Sequence, residues 1–137
     1  MKQEIFLDTS GWFAALDHRS PEHSDLSQRY RALITEAQRF LTTNLVVAEM
    51  HALLSRRVGV EIGLSFLEQL YREPTHEIRF VTRPMERAAI DRWIRPYADH
   101  QFSLTDAVSF EVMHTEGITH ALTLDRHFSV AGFSLVP

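Results

Sequence analysis

The chain has 137 residues, 45% of them apolar and 23% charged, with a net charge of −4, a pI near 6.0 and no cysteine. This is the size and balance of one globular domain, residues 1–137, with a core that needs no staples. It excludes a disulfide framework, a thiolate nucleophile, a Cys-based zinc site and a strongly basic nucleic-acid footprint. No apolar run approaches the length of a membrane span, and no basic-then-apolar leader precedes the first strand, so a cytoplasmic protein is expected. Of the fourteen basic residues all but Lys2 are arginine. Arginine suits bidentate phosphate contacts, although G- and C-rich coding would give the same skew.

Ile5-Phe6-Leu7 reads as a buried strand. Asp8-Thr9-Ser10-Gly11 breaks it, and Gly11 to Asp17 forms a short helix. Ser20 is expected to cap the next helix with Pro21 at its first position, its inner face marked by Leu26, Tyr30, Leu33, Ile34 and Ala37. Phe40 to Thr43 is a second strand. Asn44 then caps a helix from Leu45 to Arg57, with Arg56 and Arg57 where the helix dipole favours cations. After Gly59, Val60, Leu64, Leu67, Leu70 and Tyr71 mark a fourth helix, and Ile78 to Val81 a third strand. Pro84 opens a fifth helix with a face of Met85, Ala89, Trp93 and Tyr97, and residues 98–102 form a loop. Ser103 begins a sixth helix that runs to about Thr115 and is closed by Gly117. Thr119 to Leu124 is a strand ended by Asp125. A short helical turn over Arg126, His127 and Phe128 and a last strand, Phe133 to Val136, complete the chain. The alternation of strands and helices predicts an α/β fold whose mostly parallel sheet is covered on both faces.

Four acidic residues stand out against this frame. Asp8 and Asp125 both follow strands, at the sheet edge where open α/β folds bind ligands. Asp106 starts the helix that leads into Asp125's strand. Glu49 lies in the first turns of the helix after the second strand, in a sector shared by positions 45, 52, 53 and 56; among its apolar neighbours a desolvated carboxylate without partners is costly, unless it lies on a solvated stripe with His51 or Arg56. Capping accounts for three of them one at a time: Asp8 and Asp125 as turn or N-cap residues, Asp106 as the partner of Ser103 in a capping box. Glu49 has no such role. All four could converge on one crevice. Two unit charges about 5 Å apart at an effective dielectric of about 20 repel by roughly 3 kcal/mol, so four need protons or a divalent cation. Oxygen donors without cysteine suit Mg²⁺ or Mn²⁺. A cation so held favours hydrolysis of a phosphodiester, with water attacking phosphorus. Ser10 and Thr105 could orient the carboxylates or the metal-bound waters, and His127, beside Asp125, could touch substrate. His18 and His23 have poor ligand spacing.

With Phe6-Leu7-Asp8-Thr9-Ser10, Asn44-Leu45-Val46-Val47-Ala48-Glu49, Ser103-Leu104-Thr105-Asp106-Ala107 and Leu124-Asp125-Arg126-His127-Phe128 in this order, the chain resembles the PIN-domain ribonucleases of the VapC toxin type over nearly its whole length. The resemblance implies a three-layer α/β/α sandwich with a parallel sheet of four or five strands, and Mg²⁺- or Mn²⁺-dependent endonuclease action on RNA. It implies Asp8 and Asp106 as direct metal ligands, Glu49 as a ligand directly or through water, and Asp125 one step further out. It also implies a homodimer and a cognate antitoxin whose tail enters the acidic crevice. Arg56, Arg57 and Arg126 are then candidate phosphate contacts on the rim. The alternative is a non-catalytic interaction module whose aspartates only cap helices. Phosphoaspartate enzymes of the haloacid-dehalogenase type want a second aspartate where Ser10 stands. Receiver domains want a late lysine, and dinucleotide-binding folds want a glycine-rich first turn. None of these is met.

Overall fold

The computed structural model describes residues 3–36 and 38–136. Five parallel strands form one sheet in the order β3-β2-β1-β4-β5: β1 Glu4–Leu7, β2 Arg39–Thr43, β3 His76–Arg79, β4 His120–Leu122 and β5 Ser134–Leu135. Seven α-helices flank it: α1 Thr9–Leu16, α2 His23–Thr35, α3 Asn44–Arg57, α4 Val60–Arg72, α5 Arg83–Ala89, α6 Leu104–Glu116 and α7 His127–Val130. The expected three-layer α/β architecture is therefore present. β1 is its centre. Ile5, Phe6 and Leu7 are all but completely buried, as a strand covered on both faces requires. Because β1 pairs with β2 on one side and β4 on the other, the strand order reverses beside it, and the crevice at this reversal opens at the C-terminal strand ends. No helix among the described residues is long and apolar enough to cross a membrane.

Several boundaries differ from expectation, each for a local reason. α2 starts at His23 rather than after Ser20, because Ser20 N donates back to Asp17 O and His23 N to Ser20 O, making a turn of Ser20–Glu22. Ala37, expected on the inner face of α2, lies outside the described residues. The cap of α3 is Thr43, whose Oγ1 accepts from Val46 N, while Asn44 Oδ1 accepts from Val81 N and ties down the segment after β3. β3 occupies His76–Arg79, two residues earlier than expected. The fifth helix passes at Ile90–Ile94 into a π-helical turn, in which Arg95 N reaches Ile90 O. That turn aims both Arg92 Nε and Trp93 Nε1 at Oε1 of the buried Glu111, at 2.9 and 3.1 Å. Residues 98–100, expected as loop, form a single 3₁₀ turn.

β4 ends at Leu122, earlier than the predicted Leu124, because the next donors turn to side chains. Leu124 N donates to Ser10 Oγ at 3.0 Å, and Asp125 N to Thr123 Oγ1 at 2.9 Å. Gly11 makes this meeting of α1 and β4 possible. A Cβ at Gly11 would stand 2.6 Å from the backbone of Leu122 and Thr123, well inside van der Waals contact, so only glycine lets the first turn of α1 sit against the end of the strand.

Candidate active site

Asp8 occupies the N-cap position of α1 but does not cap it. Its carboxylate instead accepts from Ser10 Oγ at 2.8 Å and from Thr123 Oγ1 at 2.7 Å, both on Oδ2. The side chain is buried, only 5% exposed. Burial pushes its carboxyl up to about 6 against the pull of the two hydroxyls, and the charges of Asp106 and Asp125 add to the rise. Asp106 sits in the first turn of α6, where Ser103 Oγ accepts from its backbone N–H at 3.0 Å. Burial, then the neighbouring Asp125, raises its carboxyl, and Ser103 and His127 oppose the rise. Asp125 follows β4, and its Oδ1 accepts from His127 N at 2.9 Å, so one of its oxygens does hold a turn.

Glu49 departs from one expectation and meets another. Within α3 the burial falls on Val46, Val47, Met50 and Leu54, and Glu49 is exposed, so it bears no large desolvation cost. It nevertheless belongs with Asp8: Thr9, the residue after Asp8, donates from Oγ1 to Glu49 Oε1 at 2.8 Å. Asp8, Glu49, Asp106 and Asp125 line one cavity of about 510 Å³ together with Thr9, Ser10, Ala52, Leu53 and Arg56. Of the α3 sector at positions 45, 49, 52, 53 and 56, all but Leu45 line that cavity.

His127 lies inside this group rather than on a rim. Its Nδ1 is 3.6 Å from Asp106 Oδ2 and 3.5 Å from Asp125 Oδ1, and its ring stands edge-on to Phe102. That nitrogen is buried without a hydrogen-bond partner among the described residues. Asp106, Asp125 and His127 can each present one ligand atom within 4.8 Å of the others. Mutually repelling carboxylates, one of them buried with its charged form disfavoured, beside an unpartnered imidazole nitrogen, are a donor set that a small divalent cation would satisfy.

Three of the candidate residues stand outside the cavity lining. Thr105 gives its carbonyl to Ser109 Oγ, and its hydroxyl makes no hydrogen bond to a carboxylate among the described residues. The guanidinium of Arg57 lies over the ring of Phe13, 5.8 Å from its centroid, on a different side of α3 from the cavity. Arg126 is exposed and does not line the cavity. Thr9 and Thr123, not among the candidates above, make the closest hydroxyl contacts to Glu49 and Asp8. Their signal in the sequence is position: each stands beside or two residues before an acidic residue at a strand end.

Comparison with known proteins identifies the family of this fold. The PIN-domain family model matches residues 5–134. The chain belongs to the PIN-domain family. Among the relatives, the 23S rRNA-specific endonuclease VapC20 of Mycobacterium tuberculosis is 32% identical over 129 residues, which is 94% of this chain and 95% of that protein. The ribonuclease VapC26 of the same organism is 29% identical over 126 residues, 91% of this chain and 90% of the relative. The crystal structure of M. tuberculosis VapC20, described as a sarcin-ricin loop cleaving toxin, superposes with a TM-score of 0.82 at 28% identity and covers 94% of this chain and 95% of that one.

Proposed function

We propose that this PIN domain, residues 1–137, is a metal-dependent endoribonuclease that hydrolyses RNA phosphodiester bonds and is the toxin of a toxin–antitoxin pair. The observation that carries the reading is the gathering of Asp8, Glu49, Asp106 and Asp125 around one cavity at the strand-order reversal, with Asp8 held by two hydroxyls. Relatives named as an rRNA-specific endonuclease and a ribonuclease support it. In this reading Asp8 and Asp106 bind the cation directly, Glu49 directly or through water, and Asp125 supports from one step away. Mg²⁺ or Mn²⁺ is the ion that mainly oxygen donors favour. When bound, the cation supplies positive charge to a phosphate oxygen and makes water a better nucleophile.

The residues of the chain divide the remaining work. Ser10 and Thr123 fix the Asp8 carboxylate in one orientation, and Thr9 does the same for Glu49. Asp125 and His127 hold the far side of the cluster against α6. A cytoplasmic homodimer restrained by a cognate antitoxin that enters the acidic cavity completes the proposal. The test is cleavage of total RNA by the purified protein with Mg²⁺, Mn²⁺ or EDTA, beside Asp8→Asn. Metal-dependent products absent from the variant are expected. A folded protein that neither binds metal nor cleaves RNA would overturn the proposal in favour of the interaction module.

A further inference from the structure

The cavity wall formed by α3 runs from an acidic end to a basic one. Glu49 and Arg56 are seven residues apart, two helical turns, and therefore face the same way about 10 Å from each other along the axis. Between them Ala52 and Leu53 give the wall an apolar stretch. Seven of the thirteen arginines are engaged by an acid or a ring: Arg19, Arg29, Arg72, Arg79, Arg92 and Arg95 in ion pairs and Arg57 over Phe13. Of those without such a partner among the described residues, Arg56 alone lines the carboxylate cavity. Arg56 makes no ion pair or side-chain hydrogen bond with any described residue, yet it lines the cavity. An exposed, unpaired guanidinium beside a site with several carboxylates is not needed to hold the fold, and its planar fork matches a phosphate.

We propose that Arg56 receives a backbone phosphate of the RNA strand one to two nucleotides away from the scissile one, with Ala52 and Leu53 beneath the intervening sugar and base. This rests on the nuclease reading and adds a direction to it: the strand leaves the carboxylates along α3. A single strand suits the arrangement, because an unpaired nucleotide can lay its sugar and base on an apolar wall while its phosphates reach out to both ends.

The experiment uses a short oligoribonucleotide that the wild-type protein cleaves, with wild type, Arg56→Ala and Arg56→Lys compared in single-turnover reactions over a range of salt. Arg56→Ala is expected to raise the half-saturating concentration about tenfold and leave the rate at saturation within about twofold. The slope of log affinity against log salt should fall by about 0.7, the share of one single-strand phosphate contact. Arg56→Lys should restore the salt slope but only part of the affinity. A substrate with one neutral methylphosphonate at the contacted phosphate should bind wild type as weakly as the natural substrate binds Arg56→Ala, with no further loss when the two are combined. Unchanged half-saturation and salt slope in Arg56→Ala would overturn the inference. So would a loss confined to the saturated rate, which would move Arg56 into the chemistry. If the wild type cleaves no RNA at all, the nuclease reading falls and this inference with it; if the wild type cleaves and Arg56→Ala matches it, only this inference falls.

Discussion

Replacing Asp8 by asparagine should make the metal-free protein more stable at neutral and alkaline pH while abolishing its activity. The Asp8 carboxyl is raised from an ordinary 3.8 to about 6, mainly by burial. A raised folded-state value means the native protein holds this proton more tightly than the unfolded chain does. Between about pH 4 and 6 the native state carries the proton and the unfolded state does not, so stability falls as pH rises through this window and the full penalty remains above it. A shift of about two units corresponds to about 3 kcal/mol. Asparagine mimics the protonated acid, and its carbonyl oxygen can still accept from Ser10 and Thr123. In EDTA at pH 8, Asp8→Asn should therefore melt on the order of 10 °C above wild type. The difference should shrink towards zero at pH 4. Adding Mn²⁺ should raise the melting temperature of wild type, by mass action on the native state, and leave the variant unmoved. Thermal melts at a series of pH values, with and without metal, decide the matter. A variant that melts at or below wild type at pH 8, or a gain that does not change with pH, would show that the buried Asp8 charge does not destabilise the metal-free fold.

Other substitutions probe the supports of the site. Thr123→Val keeps the volume but removes the hydroxyl that donates to Asp8 and accepts from Asp125 N; metal affinity and cleavage should drop by about 10- to 100-fold with the fold intact by circular dichroism. Gly11→Ala drives a methyl to 2.6 Å from the β4 backbone, a clash with main chain that cannot rotate away, and should cost about 1–3 kcal/mol in denaturant titration and weaken metal binding as α1 is displaced. Glu111→Ala leaves the indole N–H of buried Trp93 without its acceptor and should cost about 1–3 kcal/mol, with Glu111→Gln recovering much of the loss because it still offers an oxygen.

Much of this architecture was readable from the residues. The runs at Ile5–Leu7 and Phe40–Thr43, the helix between Asn44 and Arg57 and the cap at Ser103 specify themselves, because apolar periodicity and capping chemistry are local. Acids after strands could be assigned to one edge because parallel strands share it. What local pattern did not carry was which side chain spends its polar atoms where. Asn44 and Thr43 compete for the same cap, and the winner depends on whether Val81, thirty-seven residues on, needs an acceptor. β4 looks two residues longer in sequence because Thr123 and Leu124 have strand composition, and only the presence of Ser10 and Asp8 opposite them draws their groups out of the ladder. Glu49 reads as a buried charge in an apolar helix, whereas the rotation of α3 set by Val46, Met50 and Leu54 leaves it on the open wall of the cavity.

In the proposed function, the carboxylate cavity promotes attack of water on an RNA phosphodiester with the help of a divalent cation. The most direct measurement is the chemistry of the ends left in RNA by the wild-type protein, analysed by mass spectrometry after reaction in isotopically labelled water with Mn²⁺ or EDTA. Metal-dependent cleavage that leaves a phosphate carrying the label on one fragment and a free hydroxyl on the other is expected. Cyclic phosphate ends that form equally well in EDTA would contradict it, because attack by a ribose hydroxyl uses neither the water nor the cation that these carboxylates are arranged to serve.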